Sequence, residues 1–380
     1  MPYTAPKVFY SATINGTYTE LTQVQSINIT RGRQRFTDPF VASQCVIELI
    51  PANSYSPTLE IGQFLDIRLT NSSASAAYFN GRITDIERRY GIPYNVANTI
   101  AAPADRITLT VTGGTGVLGS QMFAGTGNSW GVSDVISGVA QPIGNTYGVD
   151  SANPGPSGIK ASAQTVADGT PIMDAINQCL RTAQWSVDDA DRARSASGGY
   201  SYSVQWFPTS QTGTTVTFTD AGGAGFKYND IQYVSSVQQT FSTVVVEPVG
   251  LAPQASTSGT FRNAYSFTTF DETTTQAANL AAYVQLVNNQ TTPVPFAIST
   301  SSVLTDTAQT LAELTTYPVG TGATITFRGT TVNAVIQGWS FGFYPDHCNV
   351  TAFMSPSLGT PFTLDSTSFG VLDTNRLGYP

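Results

Sequence analysis

The chain of 380 residues carries a net charge of −8, with 11% charged and 41% hydrophobic residues, which allows two or three domains around a sizeable core. The acidic balance excludes a protein that holds nucleic acid mainly by neutralising phosphates, because that takes a basic face rather than scattered arginines. Abundant Thr, Ser, Gly, Val and Tyr with few Lys and Glu is the bias of strands and turns, so the expected fold is mainly β (α+β).

The opening "MPYTAPKVFYSATING" has no charged leader followed by an apolar core, and no run approaches the length needed to span a bilayer. The expectation is a chain made in the cytoplasm, without a signal or membrane-spanning segment. Cys45, Cys179 and Cys348 lie far apart without CxxC spacing, so neither a disulfide framework nor a zinc site is expected. Cys45 and Cys179 sit among apolar neighbours and read as small core residues.

The first third reads as successive strands. In "NITRGRQRF" the arginines Arg31, Arg33 and Arg35 alternate, which on a strand places them on one side, with Gly32, Gln34 and Phe36 on the other. In "LEIGQFLDIRLT", Leu65, Ile67 and Leu69 alternate with Asp66 and Arg68, as in a strand buried on one face. "AAYFNGRITDIERRY" follows, and then "DRITLTVTG", with Ile107, Leu109 and Val111 facing one way. These strands predict a small antiparallel barrel or sandwich, taken as a β-barrel domain over residues 1–113.

From residue 114 to 210 the chain turns Gly-rich and then helical, as a compact α/β insertion. "DGTPIMDAINQCLRTAQW" predicts an amphipathic helix with Thr170 as N-cap and Pro171 in its first turn. Ile172, Ile176, Cys179, Leu180 and Ala183 share one face. A weaker helix is expected at "SWGVSDVISGVA".

Residues 211–356 predict a second barrel, interrupted at about 251–290. "IQYVSSVQQTFSTVVVEPVG" resumes the β pattern, and the polar stretch 251–263 reads as an exposed loop. "DETTTQAANLAAYVQLVNNQ" predicts a helix with Leu280, Val284 and Val287 on one side, and "TAQTLAELTTY" a shorter one. Residues 357–380 form a C-terminal extension. The order of "YPVGTGATITFRGTTVNAVIQGWSFGFYPDHCNVTAFMSP" repeats that of the first third: a Gly turn, an alternating strand, a polar hairpin, a strand with a mid-strand Gly and a closing strand. Gly62 and Gly322 are the candidate turn glycines, and Gly81 and Gly338 the candidate mid-strand pair.

Chemistry-bearing residues are few. His347 stands beside Asp346 and Cys348 in "YPDHCNV", but adjacent side chains on an extended segment point apart, so a hairpin turn is expected rather than a chelate. Asp188, Asp189 and Asp191 in "VDDADRARS" lack the Gly and closing Glu of a calcium loop and read as a solvated loop. Asp85 and Glu87 among Arg82, Arg88 and Arg89 read as a surface ion network. Trp130, Tyr147 and Tyr200 read as core aromatics, or as groups that stack on a sugar or a protein. No catalytic residue, metal or cofactor is expected.

The strand ending in "TRGR", the aromatic-Asp-Pro-Phe segment, "CVIEL" and "LEIGQFLDIRL…FNGRITDIE" together resemble the N-terminal domain of phage minor tail proteins that form the tail or baseplate hub. "VIQGWSFGFYPDHCNVTAFMSPS" is similar to the end of their second barrel. The resemblance implies a non-enzymatic homotrimer in which two similar barrels per subunit build a pseudo-sixfold ring. Such a ring would join a sixfold tail tube to a threefold tip around the DNA exit channel, and a duplication is what that symmetry matching requires. It implies as partners the tail tube protein, distal tail or baseplate ring proteins, and tail spike or fibre proteins. Genomic DNA would pass without specific binding, and the protein would be assembled into the virion in the host cytoplasm. Arg31, Arg33, Arg35, Phe36 and Phe40 would then lie at a subunit interface, the arginines pairing with carboxylates of a neighbour or facing the channel. The alternative is a β-rich virion protein that binds carbohydrate or cleaves polysaccharide.

Overall fold

The computed structural model describes residues 5–13, 16–51, 58–68, 77–91, 105–124, 128–147, 149–151, 156–189, 203–208, 215–220, 224–234, 241–258, 263–288, 294–302, 314–315 and 317–357. Strands β1 (Lys7–Ser11), β2 (Thr19–Leu21), β3 (Val24–Gly32), β4 (Gln44–Leu49), β5 (Phe64–Arg68), β6 (Ala77–Arg89) and β7 (Arg106–Thr112) come first. An inserted α/β region follows, with α1 (Gly114–Gly119), β8 (Ser129–Trp130), β9 (Ser133–Asp134) and a π-helix (Val135–Ala140) running into α2 (Gln141–Thr146). It continues through β10 (Asp150–Ser151), β11 (Lys160–Ala161), β12 (Gln164–Thr165), α3 (Ile172–Ala183), β13 (Trp185–Asp188) and β14 (Ser203–Pro208). The last part holds β15 (Thr215–Thr219), β16 (Asp230–Gln232), β17 (Thr243–Pro248), β18 (Gln254–Thr257), β19 (Ala264–Thr269), α4 (Thr274–Asn288), β20 (Ala297–Ser301), β21 (Gly322–Phe327), β22 (Thr330–Phe343) and β23 (Cys348–Pro356).

Thirteen strands form one sheet in the order β16-β20-β23-β22-β3-β4-β7-β6-β5-β1-β2, with β21 bonded to β22 and β15 to β21. The strands expected to make two separate barrels therefore share one sheet, joined where β3 pairs antiparallel with β22. Among the described residues no barrel closes on itself. Apolar side chains alternate along these strands, Ile107, Leu109 and Val111 of β7 being buried as their spacing predicts. In β5, Asp66 and Arg68 are buried as well. The Arg68 Nε donates to Asp66 Oδ2 at 2.6 Å and its guanidinium lies over the rings of Phe9 and Tyr18, so this strand is covered on both faces and not on one.

The expected duplication is present in the hydrogen bonds themselves. The Gly62 N–H donates to the Ile83 carbonyl at 2.8 Å and the Ile83 N–H to the Gln63 carbonyl at 2.9 Å; Gly320, Ile336 and Thr321 repeat the pattern at 2.8 and 2.9 Å. Each long strand then carries a one-residue bulge, between Ile83 and Asp85 in β6 and between Ile336 and Gly338 in β22. Val111 lies opposite Ile83, and Met354 opposite Ile336. Working outward, Val46 pairs Thr110 as Ala297 pairs Phe353, and Asn28 pairs Val46 as Gln232 pairs Ala297. Strands β3-β4-β7-β6-β5 thus correspond to β16-β20-β23-β22-β21. This register corrects the glycine alignment: Gly62 corresponds to Gly320, Gly81 to Ala334 and Gly338 to Asp85. Gly62 and Gly320 both have positive φ, at 91° and 95°, whereas Gly322 lies within β21, opposite Val335.

The two repeats differ in what joins their first two strands. Between β3 and β4 runs the segment 33–43, and between β16 and β20 sits a lobe in which β18-β17-β19 form a three-stranded sheet. Helix α4 covers this sheet over a separate core of Phe241, Val244, Val246, Phe267, Ala277, Leu280, Ala281 and Val284. The polar stretch expected to be a loop holds β18, whose residues are half-buried or exposed; pairing with β17 requires backbone bonds, not an apolar face. Helix α3 begins one residue later than expected, because Thr170 and Pro171 are drawn into extended bonding with 121–123 through Phe123 N–H to Thr170 and Ile172 N–H to Gln121. The helical turns expected at "SWGVSDVISGVA" start only at Val135, where the Asp134 carboxylate accepts from the N–H groups of Ile136 and Ser137. Asp191, Tyr200, Leu69, most of the short helix at 307–317 and the extension beyond 357 lie outside the described residues. No helix among the described residues is long and apolar enough to cross a membrane.

At Gly338 an added Cβ would stand 2.4 Å from the Arg33 carbonyl oxygen and 2.7 Å from that of Arg31, whereas at Gly62 nothing lies within 4 Å. Gly338→Ala is expected to lower stability by about 3 kcal/mol through backbone displacement. Gly62→Ala should cost only about 1 kcal/mol of left-handed strain, and urea titration midpoints of the two variants check the ordering.

Candidate functional site

Two kinds of surface could carry function: the seam where the repeats join, and the sheet edges that the seam leaves unmatched. At the seam, β3 ends at Gly32, whose φ of 77° turns the chain out of the strand, so Arg33 and Arg35 do not continue the alternation begun by Arg31. A Cβ at Gly32 would lie 2.4 Å from the Gln337 carbonyl oxygen. Only glycine lets the two backbones approach this closely.

Arg31 points inward and is 3% exposed. Its guanidinium lies 5.1 Å from the centre of the Phe341 ring, with Nη1 3.6 Å from Asp188 Oδ2 at the end of β13. The same carboxylate oxygen accepts the Val319 N–H at 3.0 Å. Asp189, next in the chain, accepts from the Thr115 N–H at 2.8 Å and from the Thr115 hydroxyl at 2.5 Å. Burial raises its pKa to about 6 against those hydrogen bonds from Thr115 and Ser43 and with the adjacent Asp188 charge. Asp188 and Asp189 are each 1% exposed, which corrects the expectation of a solvated loop. They are the residues that reading by sequence missed; the usable signal was the apolar run "WSV" directly before them, which carries a strand and its terminal carboxylates into the core.

Arg33 is also buried. Its Nε donates to Gln337 Oε1 at 2.7 Å and its Nη1 to the Asp38 carbonyl at 3.2 Å, while its guanidinium lies 4.3 Å from the Phe40 ring centre and 5.1 Å from that of Phe36. Burial lowers its pKa to about 10, which leaves it charged at neutral pH. Gln337 is the bulge residue of β22 and donates onward to Ser355 Oγ at 2.8 Å. Phe40 exchanges backbone bonds with the Asn177 side chain of α3 at 2.9 and 3.2 Å, and the Tyr265 hydroxyl of the lobe donates to the Thr37 carbonyl at 3.1 Å. Segment 33–40 therefore ties the large sheet, the inserted helix and the lobe together. Of the candidate interface residues, Arg31, Arg33 and Phe40 are turned into their own chain, while Arg35 and Phe36 are half-buried.

The other expected sites are ordinary structural groups. His347 stacks on Tyr344 with ring centres 4.5 Å apart and its Nδ1 lies 2.7 Å from Asp346 Oδ1, closing the β22–β23 turn. No cluster among the described residues is placed to hold a metal. Glu87 pairs with Arg89 at 2.7 Å on the surface. The Trp130 indole donates to the Ser162 carbonyl at 3.1 Å and its ring meets Phe270 edge-on; Tyr147 meets Phe123 in the same way.

Among the described residues, two of the free edges lie on β16 and on the second half of β6. β16 stands at the end of the sheet and is bonded, among the described residues, only to β20. β6 pairs with β5 through Ala77–Arg82 and with β7 through Arg82–Arg89, so beyond Ile83 its β5-side edge has no strand among the described residues. Tyr90 and Tyr233 beside these edges are 53% and 40% exposed.

No protein-family model matches the sequence, and no curated protein does. Among solved structures the chain is similar to the 43 kDa tail protein of prophage MuSo2 from Shewanella oneidensis, with a TM-score of 0.62 and 11% identity over 92% of this chain and 98% of that one. It is similar also to a tail protein from Neisseria meningitidis MC58, with a TM-score of 0.58 and 11% identity over 93% and 96% of the two chains. A prophage tail protein from Listeria monocytogenes EGD-e gives a TM-score of 0.50 and 10% identity over 93% and 95%. At these identities the likeness is one of fold: this is the fold of phage tail proteins.

Asp188→Asn alone leaves the Arg31 charge buried without a counter-charge and is expected to cost about 3 kcal/mol or more, most of which Arg31→Met added to it should restore; chemical denaturation of the single and double variants measures both. For Asp189 the folded pKa stands above the unfolded value of about 4. Its contribution therefore favours the fold at low pH and is withdrawn as pH rises from about 4 to about 6. Relative to the parent chain, Asp189→Asn should gain on the order of 2 kcal/mol between pH 4 and pH 7, read from paired denaturation curves.

Proposed function

We propose that this chain is a structural subunit of a phage tail or baseplate hub, a homotrimer whose two repeats per subunit make a pseudo-sixfold ring around the DNA exit channel. The observation that carries this reading is the duplication in register. Three copies of a chain built from two equivalent five-strand units present six near-equivalent faces, which is what a sixfold tail tube requires of a threefold partner. The fold shared with prophage tail proteins supports the same role.

In this role the tail tube protein contacts the ring on one side. Distal tail or baseplate ring proteins and tail spike or fibre proteins meet the parts that occur once per subunit, namely the α/β insertion and the lobe built from β17–β19 and α4. Arg35, over the ring of Phe296, and Phe36, packed against the core of the lobe, are half-buried and are the members of the arginine segment left to meet a neighbour. The work is mechanical: an acidic chain with net charge −8 offers passing genomic DNA little to adhere to. The mature location is the virion tail tip, after assembly in the host cytoplasm.

Light scattering on the purified chain should give three times the monomer mass, and negative-stain class averages should show a ring with a central hole. A monomer at concentrations far above those of assembly would overturn the proposal.

A further inference from the structure

The correspondence between repeats specifies more than a ring: it specifies which edges meet. Inside the chain, β3 of the first repeat pairs antiparallel with β22 of the second, Ile27 opposite Phe343, Asn28 opposite Gly342 and Ile29 opposite Phe341. In the hydrogen-bond register, Ile27, Asn28 and Ile29 correspond to Ile231, Gln232 and Tyr233. Gly338 corresponds to Asp85 through the shared bulge, so Phe341, Gly342 and Phe343 correspond to Arg88, Arg89 and Tyr90. The two partners that would repeat the seam in the opposite sense are the unmatched edges of β16 and β6.

We infer that β16 of one subunit pairs antiparallel with the second half of β6 of the next copy of this chain, with Gln232 opposite Arg89, Ile231 opposite Tyr90 and Tyr233 opposite Arg88. This rests on the ring proposed above and deepens it by fixing the contact between subunits. The exposure of the side chains follows the same logic. Ile29 and Phe343 are 1% and 4% exposed inside the seam, whereas their counterparts Tyr233 and Tyr90 are 40% and 53% exposed.

On the paired edges these two tyrosines share the face that β3 and β22 bury, and they stand diagonally across from one another, within reach of aromatic contact. On the opposite face Asp230 is exposed and stands diagonal to Arg89, so the charges match. An unpaired strand edge is a template for another chain. Among the described residues the edges of β2 and β15 are also free, but the seam contains no counterpart that assigns them a partner. Because the two surfaces differ, the contact is head-to-tail, the kind that builds the ring proposed above when its rotation closes.

The test is covalent capture in the full chain. In the variant Gln232→Cys/Arg89→Cys the two Cα atoms across the contact would lie in the range that a disulfide spans, and the native cysteines Cys45, Cys179 and Cys348 are buried. Mild oxidation should convert most of the chain into a reducible covalent trimer with no larger species. The one-residue offset Gln232→Cys/Arg88→Cys directs the thiols to opposite faces and should give monomer on the same gel. Each single-cysteine variant, altered only at an exposed position, should melt with the parent and stay uncrosslinked. A light-scattering trimer that fails to crosslink at 232/89, or that crosslinks better in the offset variant, overturns this pairing while leaving the ring intact. A monomer in light scattering overturns both, and a covalent ladder running past the trimer overturns the closed ring.

Discussion

The buried charge of Arg31 is the constraint around which the rest of the molecule is arranged. A guanidinium taken out of water must find compensation close by, and here it comes to a side chain of β3 from two sources, the Asp188 carboxylate of β13 and the face of Phe341 on β22. Those two groups belong to the inserted region and the second repeat, and Arg31 to the first repeat. A single ionic requirement thus fixes the relative placement of three parts that share little else. Arg33, two residues on, repeats the device with Gln337, Asp38 and the rings of Phe36 and Phe40, and so brings the lobe into the same assembly through Tyr265 and Thr37.

That arrangement explains why the two repeats, alike in hydrogen bonding, are unlike in dress. The first keeps a short connection between β3 and β4 and uses it as a clasp; the second opens the equivalent connection and accommodates the lobe there. Neither change disturbs the ladder, because a connection between neighbouring strands can lengthen at small entropic cost. Bulges at corresponding positions in β6 and β22 persist beneath these differences, as features that shape a sheet do.

Strands whose apolar residues alternate were legible in the sequence, β7 being the clearest with Ile107, Leu109 and Val111. So was α3, where Ile172, Ile176, Cys179, Leu180 and Ala183 mark one face, and the buried side of α4 with Leu280, Val284 and Val287. The duplication was legible in the order of elements but not in its alignment, since glycine spacing is a weaker marker than the bonds of Ile83 and Ile336. Hidden altogether were the interior charges. Asp188, Asp189, Asp66 and Arg68 carry the residue types of a solvated surface, and only their partners, distant in sequence for Asp188 and Asp189, make burial tolerable. The polar strand β18 was hidden for the opposite reason: it binds through its backbone and has no apolar face to announce it.

The seam also sets an order of events during synthesis. Arg33 and its partner Gln337 are separated by 304 positions, and β3 emerges from the ribosome long before β22 exists. Until then β4 can cover only one edge of β3, and the arginines at its end have neither Gln337 nor the ring of Phe341. Contacts of such range are slow to form, because the loop must close before any contact compensates for it. The first repeat must therefore wait, with an open edge and its arginines not yet fully partnered, for nearly the whole chain. A charged side chain blunts a free strand edge, so the arginine of β3 that organises the finished fold also suits the unfinished one.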